Sequence, residues 1–269
     1  MTTRMTAARL ARLIGAGDLP GVVEAVATSP ALLRRTVEHE GTDGWTPLHL
    51  AVATGRADLV EALVDAGADL GARTEQGLTP LHVALGRALG LVEVLCRLGA
   101  EVDAPTAAWL GDVPRLEMFL DGGSPLLDPV TGTPLLSWAA HGGSVPAVRL
   151  LLARGAPAEV GALRTAVLAG RVDVVRVLLA AGADVHDRDA ASGQSALHAA
   201  VTAPLTDDSA RLVQLFLEAG ADVDATTSDG ATALDITRVA AARQRADSPG
   251  GTPEYEALGA LLVAHGATH

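Results

Sequence analysis

Thr46-Pro47-Leu48-His49 decides the fold, because it returns 33 positions later as Thr79-Pro80-Leu81-His82. Worn copies follow as Thr133-Pro134-Leu135-Leu136, Ser195-Ala196-Leu197-His198 and Thr232-Ala233-Leu234-Asp235. A second landmark trails each copy: Gly67-Ala68-Asp69, Gly99-Ala100-Glu101, Gly155-Ala156-Pro157, Gly182-Ala183-Asp184, Gly220-Ala221-Asp222 and Gly266-Ala267-Thr268. Each landmark has a mechanical reason. The Thr46 hydroxyl can cap a helix by accepting from a first-turn N–H. Pro47 then suits the first helical position, where a missing N–H costs nothing. The run to Thr54 reads as a short inner helix. Asp58 to Ala66 reads as an outer helix, with Leu59, Val60, Leu63 and Val64 on one face. Gly67 sits where the chain leaves that helix in a left-handed conformation, which a Cβ would penalise. One such pair cannot bury both of its apolar faces, whereas stacked pairs can.

A 33-residue period carrying T-P-L-H resembles the ankyrin-repeat family. The resemblance covers nearly the whole chain. It implies an all-α solenoid of about eight stacked helix pairs joined by short β-turn fingers. The domain reading is one array over residues 1–269, with 1–42 as N-terminal capping repeat, 43–228 as central repeats and 229–269 as C-terminal capping repeat.

The glycine spacings mark where the array departs from its period. Gly67 to Gly99 and Gly123 to Gly155 are each 32, but Gly99 to Gly123 is 24 and Gly155 to Gly182 is 27. Both short units lose residues ahead of the inner helix, so two fingers are expected to be truncated, with Ala104-Pro105-Thr106 and Glu159-Val160-Gly161 as their remnants. Gly182 to Gly220 is 38 and Gly220 to Gly266 is 46, which places insertions at Pro204 to Ala210 and from about Ala241 to Thr252. Within the second, Asp247 to Gly251 reads as a mobile loop, with Thr252-Pro253 restarting a helix. At the N-terminus, Ala7 to Ala16 and Val22 to Ala27 around Gly17-Asp18-Leu19-Pro20 match Ala107 to Leu120 around Gly111-Asp112-Val113-Pro114. Ala31 to Glu38 is expected to form one more short helix, and Leu258 to Ala264 the last outer helix.

All 20 basic residues are Arg, and neither Lys nor Asn occurs; the composition suits a GC-rich, actinobacterial genome. A net charge of −12 argues against nucleic acid or an anionic membrane as partner. The lone Cys96 excludes an internal disulfide and fits a reducing cytoplasm. Met1 to Arg4 leads into an amphipathic helix and not a secretory segment, and no apolar run reaches the length of a span.

His49, His82 and His198 invite a catalytic or metal-binding reading. Their place in T-P-L-H implies instead, by the resemblance, that each braces its turn through hydrogen bonds to neighbouring backbone. Cys96 falls on a core face, where a thiol is inert. No metal motif or cofactor fingerprint is present, so no metal and no cofactor are expected.

In ankyrin arrays the variable positions are the finger tips and the last turn of the inner helix. Here the finger tips supply Asp43, Trp45, Glu75, Gln76, Leu78, Thr131, Arg188 and Gln194. The inner helices supply Thr54, Arg87, Trp109, Leu110, His141, Leu168 and Thr202. Two of the chain's three Trp fall in this set; Trp138 falls on a core position. Trp45, Leu78, Trp109 and Leu110 are expected to form an apolar patch on a concave face, with Arg87, Glu75 and His141 around it. Clustered exposed aromatics mark interaction sites.

Two functions follow. The first is a binding module that holds a protein partner in the concave groove, anchored on Trp45 and Trp109. The second is a metal-free acid–base enzyme acting on an apolar small molecule in the same hollow, by elimination, addition, isomerisation or cyclisation. Its chemistry would rest on His141 with Glu75, Asp43 or Glu159, and on Arg87 to hold an anion.

Overall fold

The computed structural model describes residues 6–129, 131–158, 160–186, 188–189, 191–203, 205–206, 208–247 and 254–268. Sixteen α-helices occur among them. They are α1 (Ala7–Gly15), α2 (Leu19–Thr28), α3 (Pro47–Ala53), α4 (Ala57–Asp65), α5 (Pro80–Arg87), α6 (Val92–Arg97), α7 (Ala104–Leu110) and α8 (Val113–Asp121). The series continues with α9 (Leu135–Gly142), α10 (Val145–Ala153), α11 (Val160–Leu168), α12 (Val172–Ala180), α13 (Ala196–Thr202), α14 (Ser209–Glu218), α15 (Ala233–Asp247) and α16 (Glu254–Ala264). The all-helical repeat expected from T-P-L-H is therefore present, and both shortened units keep two helices.

The helices pack as two compact units. One comprises Met1–Thr106 with Pro129–Thr131, the other Ala107–Asp128 with Gly132–His269. In the first, inner helices stack as α1 on α3 on α5, and outer helix α2 stacks on α4. In the second, α9, α11, α13 and α15 stack in series, flanked by α8, α10, α12, α14 and α16. Alanines at equivalent inner positions, Ala51, Ala84, Ala166 and Ala200, are buried. Their small side chains let neighbouring helices approach, while Leu48, Leu81, Leu135, Leu163 and Leu197 fill the core beside them. Each buried leucine contributes about 1.5–3 kcal/mol.

Aspartates cap the starts of α2 and α8. Asp18 and Asp112 accept from the Gly21 and Arg115 amides at 3.0 and 3.2 Å, so the kinship between residues 17–20 and 111–114 is a shared helix start. Three expectations are corrected. Ala31 to Glu38 is not a helix: a 3-10 turn over Pro30–Arg34 precedes strand β1 (Val37–His39), which pairs antiparallel with β2 (Thr42–Trp45). Glu40 and Gly41 both have positive φ, 51° and 75°, the backbone a two-residue hairpin turn requires. Ala104-Pro105-Thr106 is not a finger remnant either. It is the first turn of α7, with the Asp103 carboxylate accepting from the Thr106 amide at 3.0 Å and from its hydroxyl at 2.6 Å. The insertion placed at Pro204 to Ala210 ends sooner, because α14 begins at Ser209. Residues 248–253 of the expected loop, with Thr252-Pro253, lie outside the described residues.

The remaining fingers are tied in pairs. The Glu75 amide donates to the Asp43 carbonyl at 3.1 Å, and the Ser228 amide to the Ser192 carbonyl at 3.0 Å. No helix among the described residues is long and apolar enough to cross a membrane.

Candidate functional site

The T-P-L-H histidines hold the repeats together. In α3 the Thr46 amide donates to His49 Nδ1 at 3.2 Å. That leaves Nε2–H to donate to the Leu78 carbonyl of the next unit at 3.0 Å. His198 repeats the arrangement, with Ser195 on Nδ1 and the Ala231 carbonyl 3.3 Å from Nε2. Burial lowers the pKa of both rings, outweighing the carbonyl contacts that raise it, so both are neutral braces.

His82 differs. Its Nδ1 accepts from the Thr79 amide at 3.2 Å, but the unit that follows has no finger to offer a carbonyl. Asp103 takes that place, with Oδ2 3.5 Å from Nε2. Burial raises the Asp103 pKa, but His82 and Thr106 outweigh it and hold the carboxyl down to about 2. In the last copy Asp235 occupies the histidine position itself and accepts from Thr232 N and Oγ1 at 3.0 and 2.8 Å.

The predicted site residues divide between the two units. Asp43, Trp45, Glu75, Leu78 and Arg87 belong to the first, and Trp109, Leu110 and His141 to the second. Trp45 is not a presented anchor, because only 5% of it is exposed. The hairpin folds it against His39, ring centroids 4.6 Å apart, and His49, 5.9 Å apart, with the Arg87 guanidinium 5.7 Å from its ring. Arg87 is not a free anion holder: both terminal nitrogens contact the Glu40 carboxylate at the hairpin turn. That hydrogen bonding lowers the Glu40 pKa. A cavity of about 450 Å³ lies beside this pair, floored by Ala11, Ile14, Leu50 and Ala53. Asp43 and Glu75 are exposed and meet through their backbones. Leu78 is half-buried. Glu159 lies outside the described residues.

In the second unit two of the sequence-predicted side chains, Trp109 and His141, come together, with Leu110 and Leu168 on the neighbouring helix ends. Trp109 and Leu110 end α7, His141 ends α9 and Leu168 ends α11. Gly142 makes the approach possible, since a Cβ there would lie 1.9 Å from the Trp109 carbonyl oxygen. The Trp109 and His141 rings lie 6.3 Å apart between centroids. Trp109 is half-buried, while Leu110 and Leu168 are 39% and 46% exposed. Loss of hydration, then the charge of Arg171, lowers the His141 pKa. Arg171 is a site residue the sequence reading missed, and its Nε donates to the His141 carbonyl at 3.1 Å. The signal was available, because Gly170-Arg171-Val172-Asp173 repeats the form of Gly55-Arg56-Ala57-Asp58. Among the described residues no group of three or more His, Cys, Asp or Glu could hold a metal ion.

A model of three ankyrin repeats matches residues 22–106 and again 106–189, and a single-repeat model matches 192–228. The chain therefore belongs to the ankyrin-repeat family. It is 29% identical over 224 residues to the nuclear factor NF-kappa-B p105 subunit of Gallus gallus, covering 79% of this chain and 17% of that protein. Rabankyrin-5 of Homo sapiens is 42% identical over 55 residues, covering 20% of this chain and 5% of that one. Protein phosphatase 1 regulatory subunit 27 of Homo sapiens is 40% identical over 80 residues, 30% of this chain and 49% of that one. The chain thus spans less than half the length of each of these relatives. Neither the family nor these relatives support the enzymatic alternative.

Proposed function

We propose that this chain is a protein-binding module whose docking surface is the strip formed by the ends of α7, α9 and α11. Ankyrin repeats and the relatives indicate protein–protein interaction, and one relative is named as a regulatory subunit of another protein, a phosphatase. The observation that carries the choice of surface is exposure. Leu110 and Leu168, each large and apolar, stay in water at the last turn of their inner helices, on either side of the Trp109–His141 contact. Apolar groups grouped in this way mark interfaces more often than apolar groups scattered singly. The Trp45 hairpin serves as scaffold in this reading.

A displayed peptide library panned against the intact chain tests the proposal. Peptides that bind should lose affinity at least tenfold for a Leu110→Asp/Leu168→Asp variant whose melting temperature matches the parent. A Val263→Asp variant, altered at another exposed apolar residue, should bind them unchanged. Peptides indifferent to the double variant would place binding elsewhere.

A further inference from the structure

Resting on that docking surface, we infer that the strip selects an extended protein segment carrying a carboxylate beside apolar side chains, with Arg171 as the group that reads the carboxylate. The chain contains two Gly-Arg-x-Asp turns in comparable places. In the first, Arg56 is neutralised within its own unit. It bonds both Asp58 oxygens through Nε and Nη2, and gives Nη1 to the Gly17 carbonyl at 2.8 Å. In the second, Asp173 stands where Asp58 does, yet Arg171 makes no ion pair with any described acid. It reaches back instead, over the end of α9, and uses Nε on the His141 carbonyl. Its side chain packs at the Cβ side of Gly143. That bond fixes the plane of the guanidinium and leaves both terminal nitrogens to donate. A fork so oriented matches a carboxylate in two parallel bonds.

The surroundings favour the same partner. Arg171 follows Leu168 by three residues, and its neighbour His141 is held toward its neutral form, so the cation stands against an apolar background in a chain of net charge −12. Three inner helices at about 10 Å per step put about 20 Å between the strip's ends. An extended segment rising about 3.3 Å per residue covers that in about six residues. The carboxylate belongs over the end of α9, where the Arg171 guanidinium lies, and the apolar side chains on either side of it, toward Leu168 and toward Trp109–Leu110.

Octapeptides displayed at random and panned on the intact chain supply the probe, and the best is then synthesised with a fluorophore for titration. The expected consensus contains Asp or Glu within an apolar stretch. Changing that acid to its amide, or Arg171 to Gln, should weaken binding about tenfold. Arg171→Lys should retain the acidic preference, and panning on Arg171→Glu should enrich Lys or Arg at the same place. Melting curves separate loss of contact from loss of fold, because Arg171 also braces His141. If binders lose affinity on Leu110→Asp/Leu168→Asp but carry no acid and tolerate Arg171→Glu, the carboxylate assignment falls while the docking surface stands. If they tolerate the double leucine variant, both fall.

Discussion

Replacing Asp103 with Ala should cost more than any exposed aspartate of the chain. The carboxylate performs two tasks, starting α7 through Thr106 and meeting His82 Nε2 at 3.5 Å. Loss of a helix cap costs about 1 kcal/mol. Taking the acceptor from a ring whose side chain is 3% exposed adds about 1–3 kcal/mol. At pH 7 the variant should therefore be less stable by about 2–4 kcal/mol. Acid should narrow the gap. The folded carboxyl titrates at about 2 against an ordinary 3.8, so its contribution is complete above 3.8 and is lost as pH falls through 2. The difference corresponds to at most about 2.4 kcal/mol, and 34% exposure of the side chain lets water screen it to about 1–2 kcal/mol. Urea titrations followed by circular dichroism at pH 7 and pH 2 measure this. Repeat arrays can unfold in stages, so the first transition is the one to read. Asp103→Asn keeps a capping oxygen without the charge and should lose the pH dependence while keeping part of the stability. A parent and an alanine variant that differ equally at both pH values, or not at all, would refute the assignment of Asp103 as substitute for the missing finger.

His49→Ala should lower stability by about 1–3 kcal/mol without altering peptide binding. Because burial lowers the folded His49 pKa, its contribution is present above about 6.5 and declines as pH falls; thermal melts at pH 8 and pH 5 should show a smaller variant deficit at the lower pH. Gly142→Ala should destabilise far more than Gly67→Ala. The first drives a methyl into the Trp109 carbonyl, whereas the second meets open space at φ 92° and carries only the left-handed penalty of about 1–2 kcal/mol. Equal melting temperatures for the two glycine variants would contradict the close α7–α9 contact.

The helices were legible because their signals are local. Thr46-Pro47 and Gly67 punctuate the chain, and apolar residues recur at helical spacing between them. The site was less so. Trp45 read as a tip residue because it precedes Thr46, yet burial depends on where the hairpin folds, and that is set by Glu40-Gly41 five residues upstream. The pattern Val37-Glu38-His39 before a two-residue turn, with Thr42 to Trp45 after it, carried that information. Asp103 was legible as a cap, since Asp-Ala-Pro is a helix start; its meeting with His82 comes from a neighbour lost from the sequence, and no local pattern encodes it. Leu168 and His141 were placed by their period, whereas Arg171 required comparing two turns whose arginines take different partners.

Asp235 has a consequence for how such an array can lengthen. Tandem duplication of a helix pair is its simplest growth event, and a copy succeeds when its leading carbonyl finds a donor on the unit before it. After His49 or His198 an imidazole N–H offers one. A copy inserted after α15–α16 would bring that carbonyl toward the Asp235 carboxylate instead, two acceptors with no proton between them near neutrality. The T-P-L-H histidine exchanged for aspartate therefore disfavours a histidine-type brace to a further copy, and Asp235→His would restore the donor.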